Sequence, residues 1–378
     1  MPVPCRDCWT AATHHSALRA LPAVILAAGL AALVSAAESD PKVNPRAILI
    51  VPFDASGVGS GDRWMGEAVA QTIALGLAQQ PGLVQIERDR FSRAVNPPIW
   101  SETDLIQAGR AVGAHAALYG SIGRKDSDLV LRPRLLDINK GRTTPLPPAT
   151  FPDAELLTRL ASLPVVYART LQPALTDAAS ARIETAARPT ASIRALELFS
   201  RGQTAVYDGE NEGAVELLTR AVEADASFAV ASYSLGLVYS SLGNRWKAAA
   251  LFRAALQVDG RMPEPFKAIG DLFLSTPRNL FDQAIEAYSK AIELRPFYAE
   301  AHAGLGNAYT AKGDIDRALI AYRAAIALDP FDPLTHVRLG HSYAAKARCA
   351  DAEKSYRQAR ELDRFSMVGP TPCPRRSP

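Results

Sequence analysis

The chain has 378 residues, room for two domains and further segments. It is 48% hydrophobic and 21% charged, which excludes a disordered chain. A formal net charge of only +3, with no block of five like charges, excludes the strong basic field of a nucleic-acid binder.

The first 37 residues predict an export signal. Arg6 and Arg19 give a positive start, and Leu21 to Val34 is an apolar run of 14 residues. Val34-Ser35-Ala36 and Ser35-Ala36-Ala37 both present the small residues a signal peptidase requires. The run is short of the roughly 20 residues that span a bilayer. An uncleaved N-terminal anchor is the rival expectation. No cysteine stands at the cleavage point, so no lipid anchor is expected, and no later segment is apolar enough to span. The mature chain is therefore expected to be periplasmic or secreted. Of four cysteines, Cys5 and Cys8 would leave with the signal. Cys349 and Cys373 remain, either paired in an oxidising compartment or unrelated.

The fold class expected is α+β: a small α/β domain over 47–172, a linker over 173–194, helical repeats over 195–366 and an unstructured Pro-rich tail over 367–378. The run Ala47 to Phe53 predicts a strand buried on both faces. The Gly-rich loop 57–61 follows. Gly57-Val58-Gly59-Ser60-Gly61 fails as a dinucleotide fingerprint because Asp62 stands where the third glycine belongs, and no Lys follows to make a P-loop. Arg63 to Gln79 has helical spacing, and Leu83 to Glu87 reads as a second strand. A short helix is expected near Asp89–Ala94, and another opened by Ser101-x-x-Asp104, an N-cap and an acidic first turn, and running to about Val112. Strands are expected over Ala116–Ile122 and Leu129–Ile138. The Pro-rich stretch 145–152 breaks the pattern, and Ala154–Leu171 closes the domain as an amphipathic helix.

The strongest signal is self-similarity at 34 residues. An Ala, then a large residue four on, then an Ala three further, occurs at Ala214/Leu218/Ala221, Ala248/Phe252/Ala255, Ala284/Tyr288/Ala291, Ala318/Tyr322/Ala325 and Ala352/Tyr356/Ala359. The steps between them are 34, 36, 34 and 34. Upstream, a glycine recurs at Gly202, Gly236, Gly270, Gly306 and Gly340. This pattern resembles the tetratricopeptide repeat family over 195–366, as units 195–228, 229–262, 263–298, 299–332 and 333–366. The resemblance implies stacked pairs of antiparallel helices, with the first helix of each pair lining a concave groove. Carried onto this sequence, the groove positions include Phe199, Gln203, Tyr207, Tyr233, Leu237, Lys267, Asp271, Asn307, Thr310 and His341. The groove would then be apolar and aromatic in its first half and polar in its second, suited to an extended peptide or a helix. The alternative left open is that Phe199 and Tyr207 pack on the linker or the α/β domain. Lys267 with Asn307 resembles a carboxylate clamp, but Asp271 stands where that clamp has Asn.

The α/β segment also resembles a known domain. Ile50-Val51-Pro52-Phe53, Leu83 through Arg90 and Ala108 through Ile122 are similar to the TolB-like N-terminal domain. The same pattern, with Glu-Arg after the second strand, resembles the curli-secretion and penicillin-binding-protein-activator group. Both resemblances imply envelope work through protein contacts. Arg88 and Arg90 are expected to pair with acids inside the fold.

Neither H-E-x-x-H nor G-x-S-x-G occurs. His302 and His336 lie 34 apart because the repeat places them there. No enzyme, cofactor or metal is expected. The function expected is an exported adaptor that binds a protein or peptide. The alternatives are a secretion or assembly factor oligomerising through the α/β domain, and a regulatory subunit of a separate enzyme.

Overall fold

The computed structural model describes residues 45–277 and 280–363. The expected signal and tail lie outside these residues, as do Cys5, Cys8 and Cys373, while Cys349 is disulfide-bonded.

The N-terminal part is a mixed sheet with helices on both faces. Its order is β3-β1-β4-β5-β6, with β1 at Arg46–Ile50, β2 at Asp54–Gly57, β3 at Leu83–Gln85, β4 at Ala116–Lys125, β5 at Asp128–Asp137, β6 at Arg142–Pro145 and β7 at Ala149–Phe151. Strand β1 lies parallel between β3 and β4, and β4 and β5 form a long antiparallel hairpin. Alternation sends β1 residues to two cores. Ile48 joins the face covered by α1 (Trp64–Leu77), whereas Ala47, Leu49 and Val51 join the face covered by α3 (Glu102–Val112). The expected cap of α3 is present: Ser101 and Asp104 form a reciprocal capping box. The short helix α2 spans Arg88–Ser92.

Three features differ from the sequence expectation. The start of the Gly-rich loop is part of β2, which pairs with β4 where Gly57 meets Gly123. Two residues without side chains let those backbones approach. The Pro-rich stretch holds β6 and β7 on either side of Pro147 and Pro148, with Phe151 buried. The segment 173–194 contains helix α5 (Asp177–Ala186), capped by Thr176 and pinned by the fully buried Ile183. Helix α4 (Leu156–Leu171) precedes it.

Five helical hairpins follow. They are α6/α7 (Ile193–Tyr207, Asn211–Ala224), α8/α9 (Ala229–Ser241, Arg245–Val258), α10/α11 (Pro263–Leu274, Phe281–Leu294), α12/α13 (Ala299–Lys312, Ile315–Leu328) and α14/α15 (Pro333–Ala345, Cys349–Leu362). The small-against-large pattern explains why they stack. Ala248 and Ala255 are fully buried, and a Cβ on Gly306 would sit 2.5 Å from the Tyr322 ring, so glycine sets the approach of α12 to α13. The hairpin turns use the left-handed region at Gly209, Gly243 and Gly313, with φ of 78°, 77° and 86°. In the fifth hairpin Ala347 takes that position, with φ of 55°.

The solenoid straddles the edge strand β3. On one face of the sheet a single core runs from Ile48 and Met65 through Tyr167 and Ile183 to Leu196, Phe199, Leu218 and Phe228. On the other face Phe331, from the loop between α13 and α14, packs on the core of Ala47, Leu49 and Ile138. Between these two grips, Arg295, Phe297 and Tyr298 line a small cavity against Leu83–Gln85. An exposed sheet edge invites pairing with another chain, and here the repeats cover it.

Candidate functional site: the concave face and the sheet edge

Several of the residues expected in a groove are held by the second helix of their own hairpin. The hydroxyl of Tyr288 donates to Asp271 Oδ1 at 2.6 Å, and that of Tyr322 donates to Asn307 Oδ1 at 2.9 Å. In the fifth hairpin His341 meets the Tyr356 ring edge-on, centroids 5.5 Å apart. The residues recur at 34–36-residue steps because the repeat does. The Tyr288 and Tyr322 hydroxyls each hold a polar side chain of the first helix in their own hairpin, whereas the buried Tyr356 hydroxyl has no hydrogen-bond partner among the described residues. Thr310 is fixed in the same way, its Oγ1 lying 3.2 Å from the Tyr322 hydroxyl while it donates to Gly306 O. Lys267 Nζ sits 2.8 Å from Asp271 Oδ2, so its charge is answered by its own helix.

The remaining predicted groove residues divide. Leu237, Asp271, Thr310 and His341 are exposed, and Gln203 and Asn307 are half-buried. Tyr233 is half-buried against Phe252, and desolvation by the surrounding protein pushes its phenol above the ordinary range. Phe199 does not face a groove. It is 1% exposed and packs on Phe228 with centroids 5.0 Å apart, because α6 turns that side into the core shared with the α/β domain. Tyr207 remains 45% exposed, but its ring carries the Arg88 guanidinium 3.9 Å from its centroid. Arg88 in turn forms a two-pronged bond to the buried Glu67 at 2.9 and 3.1 Å. Arg88 therefore has the structural pairing expected of it and ties α2, α1 and α6 together. These groups border a crevice of about 1200 Å³ at the C-terminal end of β1, with Trp100 and Arg201 on its rim.

Arg90 does not pair as expected. Its guanidinium donates to Phe331 O at 2.8 Å, across the gap to the repeats. Beside it, His115 accepts the Ala47 N–H on Nδ1 and meets Phe331 edge-on at 5.4 Å. Behind this contact lies a hollow of about 360 Å³ with Glu87 and Arg90 on one wall and Lys267, Glu300, Asn307 and Asp329 on the other. Its carboxyls sit high. Burial, reinforced by Glu300 and Asp332, pushes Asp329 up to about 6. Desolvation by the walls, then Asp89 and Glu300, raises Glu87, and desolvation, then Asp332, raises Glu300. Sequence periodicity did not mark Phe331, His115 or Glu87 as a set, because they come from three unrelated segments. Among the described residues, no three His, Cys, Asp or Glu side chains group to hold a metal ion.

With this geometry established, the class of the helical part follows. The tetratricopeptide repeat family model matches residues 199–263 and 278–333. Over those residues the hairpins match tetratricopeptide repeats, a solenoid architecture of stacked helix pairs. Among solved structures, the chain is similar to a crystal structure of MamA at 25% identity, covering 43% of this chain and 93% of that one, TM-score 0.37. It is similar to a thermophilic TPR protein of Thermus thermophilus at 20% identity, covering 46% and 93%, TM-score 0.41. It is also similar to MamA 41-end from Desulfovibrio magneticus RS-1 at 20% identity, covering 47% and 100%, TM-score 0.40.

Proposed function

We propose that this protein is an exported, non-catalytic interaction scaffold whose repeats grip their own α/β domain and bind a protein or peptide partner along the first helices of the hairpins, at and beside the hollow that Lys267, Asp271 and Asn307 share with the sheet edge. The observation that carries this reading is the row Lys267, Asp271, Asn307 and Thr310. Tyr288 holds Asp271, Tyr322 holds Asn307 and Thr310, and Asp271 in turn holds Lys267. Side chains held this way lose little further freedom on binding, which favours association. The apolar run and small-residue site at the N-terminus support export to a periplasmic or extracellular space, and no helix among the described residues is long and apolar enough to cross a membrane. The likeness of the sheet domain to the TolB-like and curli-secretion groups supports work at an envelope.

The test places a photo-crosslinker at Asn307 in the full chain and compares captured proteins from envelope extract with those captured after Tyr233→Ala, Lys267→Ala and Asn307→Ala, the last carrying the crosslinker at Thr310. Loss of a specific adduct in these variants supports the reading. An identical adduct pattern in all of them defeats it. Sequencing the N-terminus of the mature chain tests export, which predicts a start at Ala37 or Glu38.

A further inference from the structure

We propose that the solenoid and the α/β domain form a pH-dependent clamp, hinged at their shared core and closing where the Asp329–Phe331 loop meets Arg90 and His115. The inference rests on the geometry of the two grips and stands apart from the identity of any partner.

The hinge end cannot part without unmaking a core. Leu196, Phe199 and Leu218 belong to the same packed cluster as Met65, Tyr167 and Ile183. The closing end has no such core. Among the described residues, contacts across the gap include the Arg90 bond to Phe331 O, the Phe331 ring on His115 and the sheet, and an Arg93–Asp363 approach at 4.0 Å. A solenoid is joined only through nearest-neighbour interfaces, so small changes at each hairpin sum to a large movement at the far end.

The charges facing the gap decide which way pH moves it. From the sheet side come Glu87, Asp89, Arg90 and His115, with Arg88 occupied by Glu67. From the repeats come Glu300, Asp329, Asp332 and Arg338, with Lys267 occupied by Asp271 and Arg295 by Glu264. Carboxylates thus outnumber the unoccupied cations across the gap. Glu87 and Glu300 repel each other, and Arg90 answers Asp329 only in part. The carboxyls of Glu87, Glu300 and Asp329 all sit above their ordinary range, and half-buried Asp329, pushed up to about 6, holds in the closed form a proton that an open, hydrated form would release. Closure is therefore favoured on the acid side and weakens as pH rises through about 6, the value for Asp329.

Amide hydrogen exchange of Leu83–Arg90 in the full chain, corrected for the intrinsic pH dependence, reads the closing. Protection there is expected to fall about tenfold between pH 5 and pH 7.5, as linkage to one or two raised carboxyls implies. The Glu87→Gln, Glu300→Gln, Asp329→Asn variant, which mimics the protonated state, should stay protected at both values, and Asp329→Asn alone should lie between. Phe331→Ala should be unprotected at both. Equal protection of the native chain at the two values overturns the proposal, and so does an unchanged pH dependence in Asp329→Asn. General acid unfolding cannot imitate the effect, because it lowers protection at pH 5.

Discussion

The two grips of the solenoid on the sheet are built from different chemistry. At the first hairpin the two parts share one apolar core, sealed by the Glu67–Arg88 pair beneath Tyr207. At the fourth and fifth hairpins one half-buried aromatic, one guanidinium-to-carbonyl bond and a charged hollow make the contact. A continuous core excludes water and unfolds as a unit, whereas a few side chains across a hydrated gap can separate while both sides stay folded. The difference teaches that domain contacts of one chain need not share one stability.

Breaking the first grip should have the largest effect. Glu67→Ala leaves Arg88 charged and half-enclosed, which should cost about 3–5 kcal/mol in urea unfolding. A loss under about 1 kcal/mol would mean the pair does not seal the core. Phe331→Ala at the second grip should cost less, about 1–2 kcal/mol, since the ring is only partly buried, while exchange at β3 accelerates. Equal losses at both sites would erase the contrast.

A third prediction concerns pH within the repeats. His302 and His336 are buried, and each Nε2 lies within hydrogen-bonding distance of a proline carbonyl, Pro296 O at 2.9 Å and Pro330 O at 3.1 Å. Burial lowers both, and His302 Nδ1 has no partner to share a second proton. Their folded values lie below the unfolded one, so the stability of these hairpins is full above about pH 6.5 and falls as pH drops below it. The thermal midpoint of the native chain should therefore fall on acidification more steeply than that of His302→Gln with His336→Gln. The smallest effect belongs to Ala347→Gly. Relieving a left-handed alanine should raise stability by about 0.5–1 kcal/mol in the same urea experiment, and no gain would show the turn to be unstrained.

Much of this architecture was legible residue by residue. The Ala-x-x-x-Phe-x-x-Ala phase placed all five hairpins because their packing is local and repeats with the sequence. The Ser101 cap, the β1 run and the Gly209, Gly243 and Gly313 turns were readable for the same reason. Helix α5 was missed because ten residues of low apolar contrast give little periodic signal, and only the docking of Ile183 reveals them. Strands β6 and β7 were hidden by prolines: Pro145 ends β6 opposite Arg134, and Pro147 and Pro148 lie between the two strands. Of the residues expected in a groove, Lys267 pairs with Asp271, and Asn307 and Thr310 share the Tyr322 hydroxyl. Phe199 joins neither pair, because its orientation depends on a domain distant in sequence.

The sequence by itself determined the number of hairpins and the polar residues on their first helices, since each depends on residues within one or two repeats. Only the tertiary structure decided that the repeats cover the sheet edge, and that Glu87, His115 and Phe331 meet around one gap. Contacts between segments more than 200 residues apart leave no periodic trace, because their geometry is set by how the whole chain packs.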